Sequence, residues 1–326
     1  MHVWDTWALV LTLVAAVLLT MTVTGTVTTG TMNDRALAAA PRSDRQPVEG
    51  QPADPANGGW TLVWSDEFDG PEIDRSVWTF MTGNGHAYGI PGWGNAELQY
   101  YTDRPANAYV ADGKLVIRAL RETWSDRYGT YAYTSARLTT KGRVSVKYGR
   151  IEVRAKLPEG KGIWPAIWML GDDIDTKGWP ASGEIDIMEL VGHKPGTVYG
   201  TVHGPLSGGT GIGGSYSLPG GRKFSEDFRV FVLEWTEREL RWYVDGELYH
   251  VVSKDRMPRS YAEREWVYDH PFYFILNVAV GGRWPGYPDD TNTFPQAMEI
   301  DYIRIYEARR DESELPRPTP GAGPTD

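Results

Sequence analysis

Glu184-Ile185-Asp186-Ile187-Met188-Glu189 places three carboxylates within six residues, separated only by Ile, Ile and Met. On an extended strand side chains alternate, so Glu184 and Asp186 share one face while Ile185 and Ile187 share the other. Strict alternation would send Glu189 to the isoleucine face. One extra residue, a β-bulge at Ile187-Met188, returns it to the acidic face. The backbones of Glu184 and Glu189 would then stand about 13 Å apart, less what the bulge removes. Asp186, on a shorter arm, is placed to bond to one glutamate and tune its charge.

A solvent-exposed, salt-bridged strand face is the competing account of such charges. Glu-Ile-Asp alone decides nothing, because it recurs at Glu299-Ile300-Asp301 without a third acid. The first copy differs in its surroundings. No Lys or Arg interleaves its acids, Gly183 precedes them, and Trp164, Trp168 and Trp179 lie just upstream. Clustered acids without basic partners repel one another, which raises one pKa, as an acid catalyst requires. Two glutamates leaning together can also reach the carboxyl separation of about 5–5.5 Å that retaining glycosidases use.

Around this hexapeptide the chain reads as all-β. Short alternating runs broken by Gly, Pro and Asp fill residues 59–308, for example Lys114-Leu-Val-Ile-Arg-Ala119 and Arg150-Ile-Glu-Val-Arg-Ala155. Asp245-Gly246, between two such runs, predicts a two-residue hairpin. No helical period persists beyond about ten residues, so two packed antiparallel sheets are expected. Gly204–Gly221 has glycines at phosphate-loop-like spacing but no helix after them. A mobile loop beside the site is the better reading.

Composition narrows the partners. The 326 residues include 14 Trp, 18 Tyr and 37 Gly, and the formal charge is −10. That charge disfavours nucleic acid and anionic lipid. A surplus of indole suits sugar stacking as well as sandwich packing. Zero Cys excludes disulfides and Cys-ligated metals. An uncharged apolar run over residues 7–23, followed by Ala36-Leu-Ala-Ala-Ala-Pro41, reads as a secretion signal within residues 1–40. Asp5, the lack of an early Lys or Arg, and the distance from the run to Ala38 keep an uncleaved membrane anchor open. Either way the domain is expected outside the cytoplasm. Residues 41–58 read as a disordered linker and 309–326 as a disordered Pro-rich tail.

With these residues assembled, the sequence resembles glycoside hydrolase family 16, and within it the bacterial laminarinase-like endo-β-1,3-glucanases. The resemblance covers about residues 60–307. Its centre is Glu184–Glu189 in the form with the extra Met. Further blocks are Gly92-Trp-Gly-Asn-Ala-Glu-Leu-Gln-Tyr-Tyr-Thr102, Thr134-Ser-Ala-Arg-Leu-Thr-Thr-Lys141, Trp164-Pro-Ala-Ile-Trp-Met-Leu170, Gly200-Thr-Val-His-Gly204 and Asn277-Val-Ala-Val-Gly-Gly-Arg-Trp-Pro-Gly286. Arg283 stands where laminarinases commonly have Asn.

The resemblance implies a jelly-roll sandwich with a concave cleft, in which Glu184 is the nucleophile, Glu189 the general acid/base and Asp186 their helper. Trp93, Trp164, Trp168 and Trp284 would stack on sugar rings, although Trp164 and Trp284 could equally lie beneath the cleft. Asn95, Glu97 and Arg137 would hydrogen-bond sugar hydroxyls, unless Glu97 and Arg137 pair with each other. His203 would sit near the leaving group. No cofactor is expected for catalysis. The resemblance further implies one structural Ca²⁺ on the far face, held by Glu67, Asp301 and the Gly113 carbonyl; the other reading is that these acids are ordinary surface groups.

The expected activity is retaining endo-hydrolysis of β-1,3-glucan, with mixed β-1,3-1,4-glucan as a second substrate. Alternatives are a galactan, agar or carrageenan hydrolase, a transglycosylase, and a non-catalytic glucan-binding protein. No protein partner is implied, and a monomer is expected.

Overall fold

A computed structural model of the chain describes residues 59–205 and 210–309. The expected signal or anchor, the linker and the tail beyond Arg309 lie outside these residues. Among the described residues, no helix is long and apolar enough to cross a membrane.

The alternating runs become strands of two sheets packed face to face, a jelly-roll sandwich. The ten-stranded sheet runs in the order Glu247–Ser253, Glu239–Val244, Arg229–Trp235, Gly149–Lys156, Gln296–Ala308, Lys114–Asp126, Gly129–Ser135 and Gln99–Tyr101, with Trp60–Asp66 and Ala108–Ala111 paired to its interior strands. The eight-stranded sheet runs Ile212–Ser217, Thr197–His203, Glu184–Glu189, Ile163–Gly171, Phe272–Val280, Arg137–Thr139 and Thr79–Phe80, with Ser145–Val146 beside Phe272–Val280. Pairing is antiparallel throughout except between Gln99–Tyr101 and Gly129–Ser135. Helices are confined to short pieces such as Ile174–Lys177 and Arg259–Glu265.

Alternation decides which residues meet between the sheets. Ile163, Ile167 and Met169 on one strand, and Ile185 on its neighbour, are buried in one core cluster with Ile151, Val153, Leu233 and Trp235 of the opposite sheet. Their sequence neighbours Trp164, Trp168 and Glu184 remain half-buried on the outer face. Asp245 and Gly246 form the hairpin turn, with φ of 49° and 86° and Val244 paired to Glu247. Positive φ at both positions is what a type I′ turn demands.

The glycine-rich stretch departs from expectation. Ile212–Ser217 is a strand on the edge of the eight-stranded sheet, paired with Thr197–His203. Ile212 and Tyr216 pack against the core, and a Cβ on Gly214 would meet the His250 ring at 2.5 Å. The glycine there permits close approach, which is a different use from loop freedom.

Candidate active site

Glu184–Glu189 lies between Ile163–Gly171 and Thr197–His203. On one side Trp168 pairs with Asp186 and Ile167 with Met188, which leaves Ile187 without a partner. On the other side Asp186 pairs with Thr201 and Glu189 with Tyr199. Ile187 and Met188 thus stand opposite the single residue Gly200. This is the bulge expected from the order of acids and apolar residues. Ile187 and Met188 both enter the core, and Glu189 returns to the outer face.

Gly200 has a structural reason to be glycine. A Cβ there would lie 2.4 Å from Trp242 Cδ1 and 2.6 Å from Tyr249 Oη. Without it, Trp242 reaches across the sandwich and donates Nε1–H to the Asp186 carbonyl at 2.8 Å. The bulge is therefore pinned from the opposite sheet.

Each outer glutamate is held by an indole. Trp179 Nε1 donates to Glu184 Oε2 at 2.9 Å, and Trp164 Nε1 donates to Glu189 Oε1 at 3.0 Å. Asp186 is 2% exposed. Where a bond to one glutamate was expected, the nearest charged partner is His203, whose Nε2 lies 3.2 Å from Asp186 Oδ2 and 3.7 Å from Glu184 Oε1. Asp186 acts on the glutamates through its charge.

Burial raises the pKa of both glutamates, and the Asp186 charge raises them further. The two are not equivalent. His203, Trp179 and Arg137 all favour the Glu184 anion. Glu189 receives help from Trp164 and His203 but none from Arg137, and the repulsion between the two glutamates is mutual. The proton is thus held more readily on Glu189, while Glu184 is the better-supported anion. Burial opposes charge on His203, but the facing Asp186, Glu184 and Glu189 outweigh it and push its pKa up to about 9.

Beside this centre Arg137 pairs with Asn277, on the rung of the sheet that continues through Ala166 to Glu189. Its guanidinium carbon sits 4.3 Å from the Trp93 ring and 4.9 Å from the Trp168 ring. Glu97 is buried and accepts hydrogen bonds from Gln99, Asn95 and Tyr101 at 2.6, 3.3 and 3.4 Å. Burial raises its pKa, and the Arg137 charge offsets part of that.

The tryptophans divide into distinct roles. Trp284 is 42% exposed and meets Trp164 and Tyr199 edge-on at 5.5 and 5.0 Å. Trp168 is half-buried and donates Nε1–H to Asn277 Oδ1 at 2.8 Å. Trp93 is 4% exposed, and its Nε1–H goes to the Gly83 carbonyl. It supports Arg137 rather than offering a face to a sugar, which corrects the expectation for that residue. Trp179, 50% exposed, was not singled out as a site residue from sequence. Its place five residues before Glu184 was the available signal.

The expected calcium ligands are otherwise engaged. Both Glu67 oxygens accept from Arg304 at 2.9 Å, and Asp301 Oδ2 accepts from Arg154 at 2.7 Å. Gly113 turns the hairpin between Ala108–Ala111 and Lys114–Asp126 with φ of 68°. A dication would have to compete with two guanidiniums, so these residues as arranged do not fit bound calcium. The second Glu-Ile-Asp copy is an ordinary paired surface as well, with Lys156 2.8 Å from Glu299.

Paired glutamates aimed outward from a jelly-roll sheet, one able to keep a proton and one supported as an anion, define a glycoside hydrolase of the β-sandwich type. The model of the Glycosyl hydrolases family 16 matches residues 99–304, and the chain belongs to that family. The laminarinase catalytic domain from Thermotoga maritima superposes with a TM-score of 0.73 at 63% identity, covering 76% of this chain and 98% of that one. A beta-glucanase from Rhodothermus marinus is 48% identical over 257 residues, 76% of this chain and 85% of the relative. The glucan endo-1,3-beta-glucosidase A1 of Niallia circulans is 42% identical over 284 residues, 82% of this chain but only 41% of that longer protein.

Proposed function

We propose that the chain is an exported, retaining endo-hydrolase of β-1,3-glucan. The observation that carries this reading is the unequal support of two glutamates on one bulged strand: His203, Trp179 and Arg137 favour the Glu184 anion, while only Trp164 and His203 favour that of Glu189. Relatives whose names specify endo-1,3-β-glucan cleavage or laminarinase activity support the substrate class.

In the proposed reaction Glu184 attacks the anomeric carbon, and the bond to the leaving oxygen breaks as Glu189 gives it a proton. The glycosyl-enzyme is released when Glu189 takes a proton from water and the resulting hydroxide attacks the anomeric carbon from the face the leaving group vacated. Two displacements restore the starting configuration. Asp186 and His203 set the charge around Glu184 as it changes from anion to ester. The exposed face of Trp284 suits stacking against a glucosyl ring near the point of cleavage. Export is supported by the apolar run at residues 7–23 and the alanine-rich stretch after it.

The test is product analysis on laminarin, lichenan, agarose and carrageenan side by side, with NMR of the first-formed anomer. The expected result is internal cleavage of laminarin giving the β-anomer. Glu184→Gln should lower turnover on the order of 10³-fold or more while oligosaccharide binding persists. Undiminished hydrolysis by that variant, or the α-anomer as first product, overturns the assignment.

A further inference from the structure

Three donor atoms of different chemistry converge beside the cleavage centre: a carboxylate oxygen of Glu184, one of Asp186 and a ring nitrogen of His203, all within 4.8 Å of one another. The imidazole nitrogen is 3.2 Å from Asp186 Oδ2 and 3.7 Å from Glu184 Oε1. Ligands bound about 2.1 Å from one ion stand about 3.0–3.4 Å apart, so small side-chain shifts would bring all three into one coordination shell. A second observation points the same way. Asp186 is 2% exposed, yet among the described residues no aligned hydrogen bond reaches its Oδ2. The charged His203 ring faces this oxygen off the line of a hydrogen bond, so an ion that displaced the imidazole proton could bond the oxygen directly.

We propose that Glu184, Asp186 and His203 form an inhibitory site for one divalent transition ion of the zinc type. One nitrogen and two oxygens suit such an ion better than calcium or magnesium, which prefer all-oxygen shells. Glu189 stands close by, and a bound dication would favour release of the proton it holds. Binding at Glu184 removes the oxygen lone pair that attacks the sugar, so the ion competes with glucan. That consequence rests on the reading of Glu184 as nucleophile; the binding itself does not. His203 Nδ1 is buried without a partner among the described residues. The support that usually strengthens a metal-bound imidazole is missing, and the ion must release to solvent the proton that His203 carries at neutral pH, which together place the affinity at about micromolar rather than nanomolar.

The test is calorimetric titration of the full chain with Zn²⁺, repeated with Ca²⁺ and followed by Co²⁺ absorption. One equivalent of Zn²⁺ should bind, Co²⁺ should develop visible bands, and Ca²⁺ should bind at least tenfold more weakly. His203→Gln and Asp186→Asn, checked for folding by circular dichroism, should each weaken Zn²⁺ at least tenfold. Inhibition of laminarin cleavage should be competitive and reversed by chelator. No binding up to millimolar Zn²⁺, equal binding by the folded variants, or calcium binding as strong as zinc overturns the site. Zinc binding to a chain that cleaves no glucan would leave the metal site standing and refute the glucanase reading; cleavage without zinc binding would do the reverse.

Discussion

Trp179 and Glu184 are joined by a 2.9 Å hydrogen bond from an indole nitrogen to a carboxylate oxygen five residues further along the chain. The indole is half exposed, so this bond lies at the edge of the site. It favours the Glu184 anion, the state that must attack. Trp179→Phe should lower kcat/KM about tenfold, as expected for loss of a hydrogen bond to a charged group partly open to water. Because the anion loses support, the Glu184 pKa rises and the acidic limb of the pH–rate profile moves to higher pH. An unmoved limb would mean that the bond does not support the nucleophile.

Glu189 carries an opposite balance of function and stability. Its pKa is raised by burial and by two neighbouring carboxylates. A raised pKa means that the native state gains from the protonated form below the unfolded-state value and loses this gain as pH rises. Glu189→Gln removes the ionisable charge while keeping the shape. It should abolish cleavage of unactivated glucan yet raise stability at neutral pH by on the order of 1–3 kcal/mol, with no gain near pH 4. Thermal melts at the two pH values check the sign. Azide should restore cleavage of substrates with good leaving groups as β-glycosyl azides.

His203 contributes in the window set by its own shift. Its native pKa is about 9 against an ordinary 6.5, so the stabilisation is complete below pH 6.5 and disappears as pH climbs through 9. The stability difference between the wild type and His203→Gln should shrink by roughly 2–3 kcal/mol between pH 6 and pH 9.5. Denaturant unfolding at the two pH values measures it; a constant difference would show that the imidazole is not charged in the native protein.

Gly200→Ala tests the pin on the bulge. The added methyl meets Trp242 at 2.4 Å and must push it away from the Asp186 carbonyl. A destabilisation of about 1–3 kcal/mol is expected from overpacking. Loss of activity beyond that explained by the unfolded fraction would show that Trp242 holds the bulge in register.

The bulge and the hairpin were legible because both follow from local arithmetic. Three acids can share one face only if a residue is extruded, and Asp245-Gly246 names its own turn. The grip of Trp164 on Glu189 was not legible, because it spans 25 residues and depends on which strands become neighbours. The pairing of Glu67 with Arg304 spans 237 residues, and nothing near Glu67 signals it. Trp93 was legible as an aromatic near the site but not as a buried one, since its burial depends on Gly83 and Arg137 closing over it. The strand at Ile212–Ser217 was hidden by glycines whose value is thinness, a property that looks like looseness in sequence.

Arg137, caught between the Trp93 and Trp168 rings and 6% exposed, has its own consequence. Mobile ions cannot approach a charge walled in by indoles, so the field it casts on Glu184 and Glu97 is not screened as a surface charge would be. The pH profile should therefore hold its shape from dilute buffer to brine, and salinity would leave the acid pair's division of labour intact.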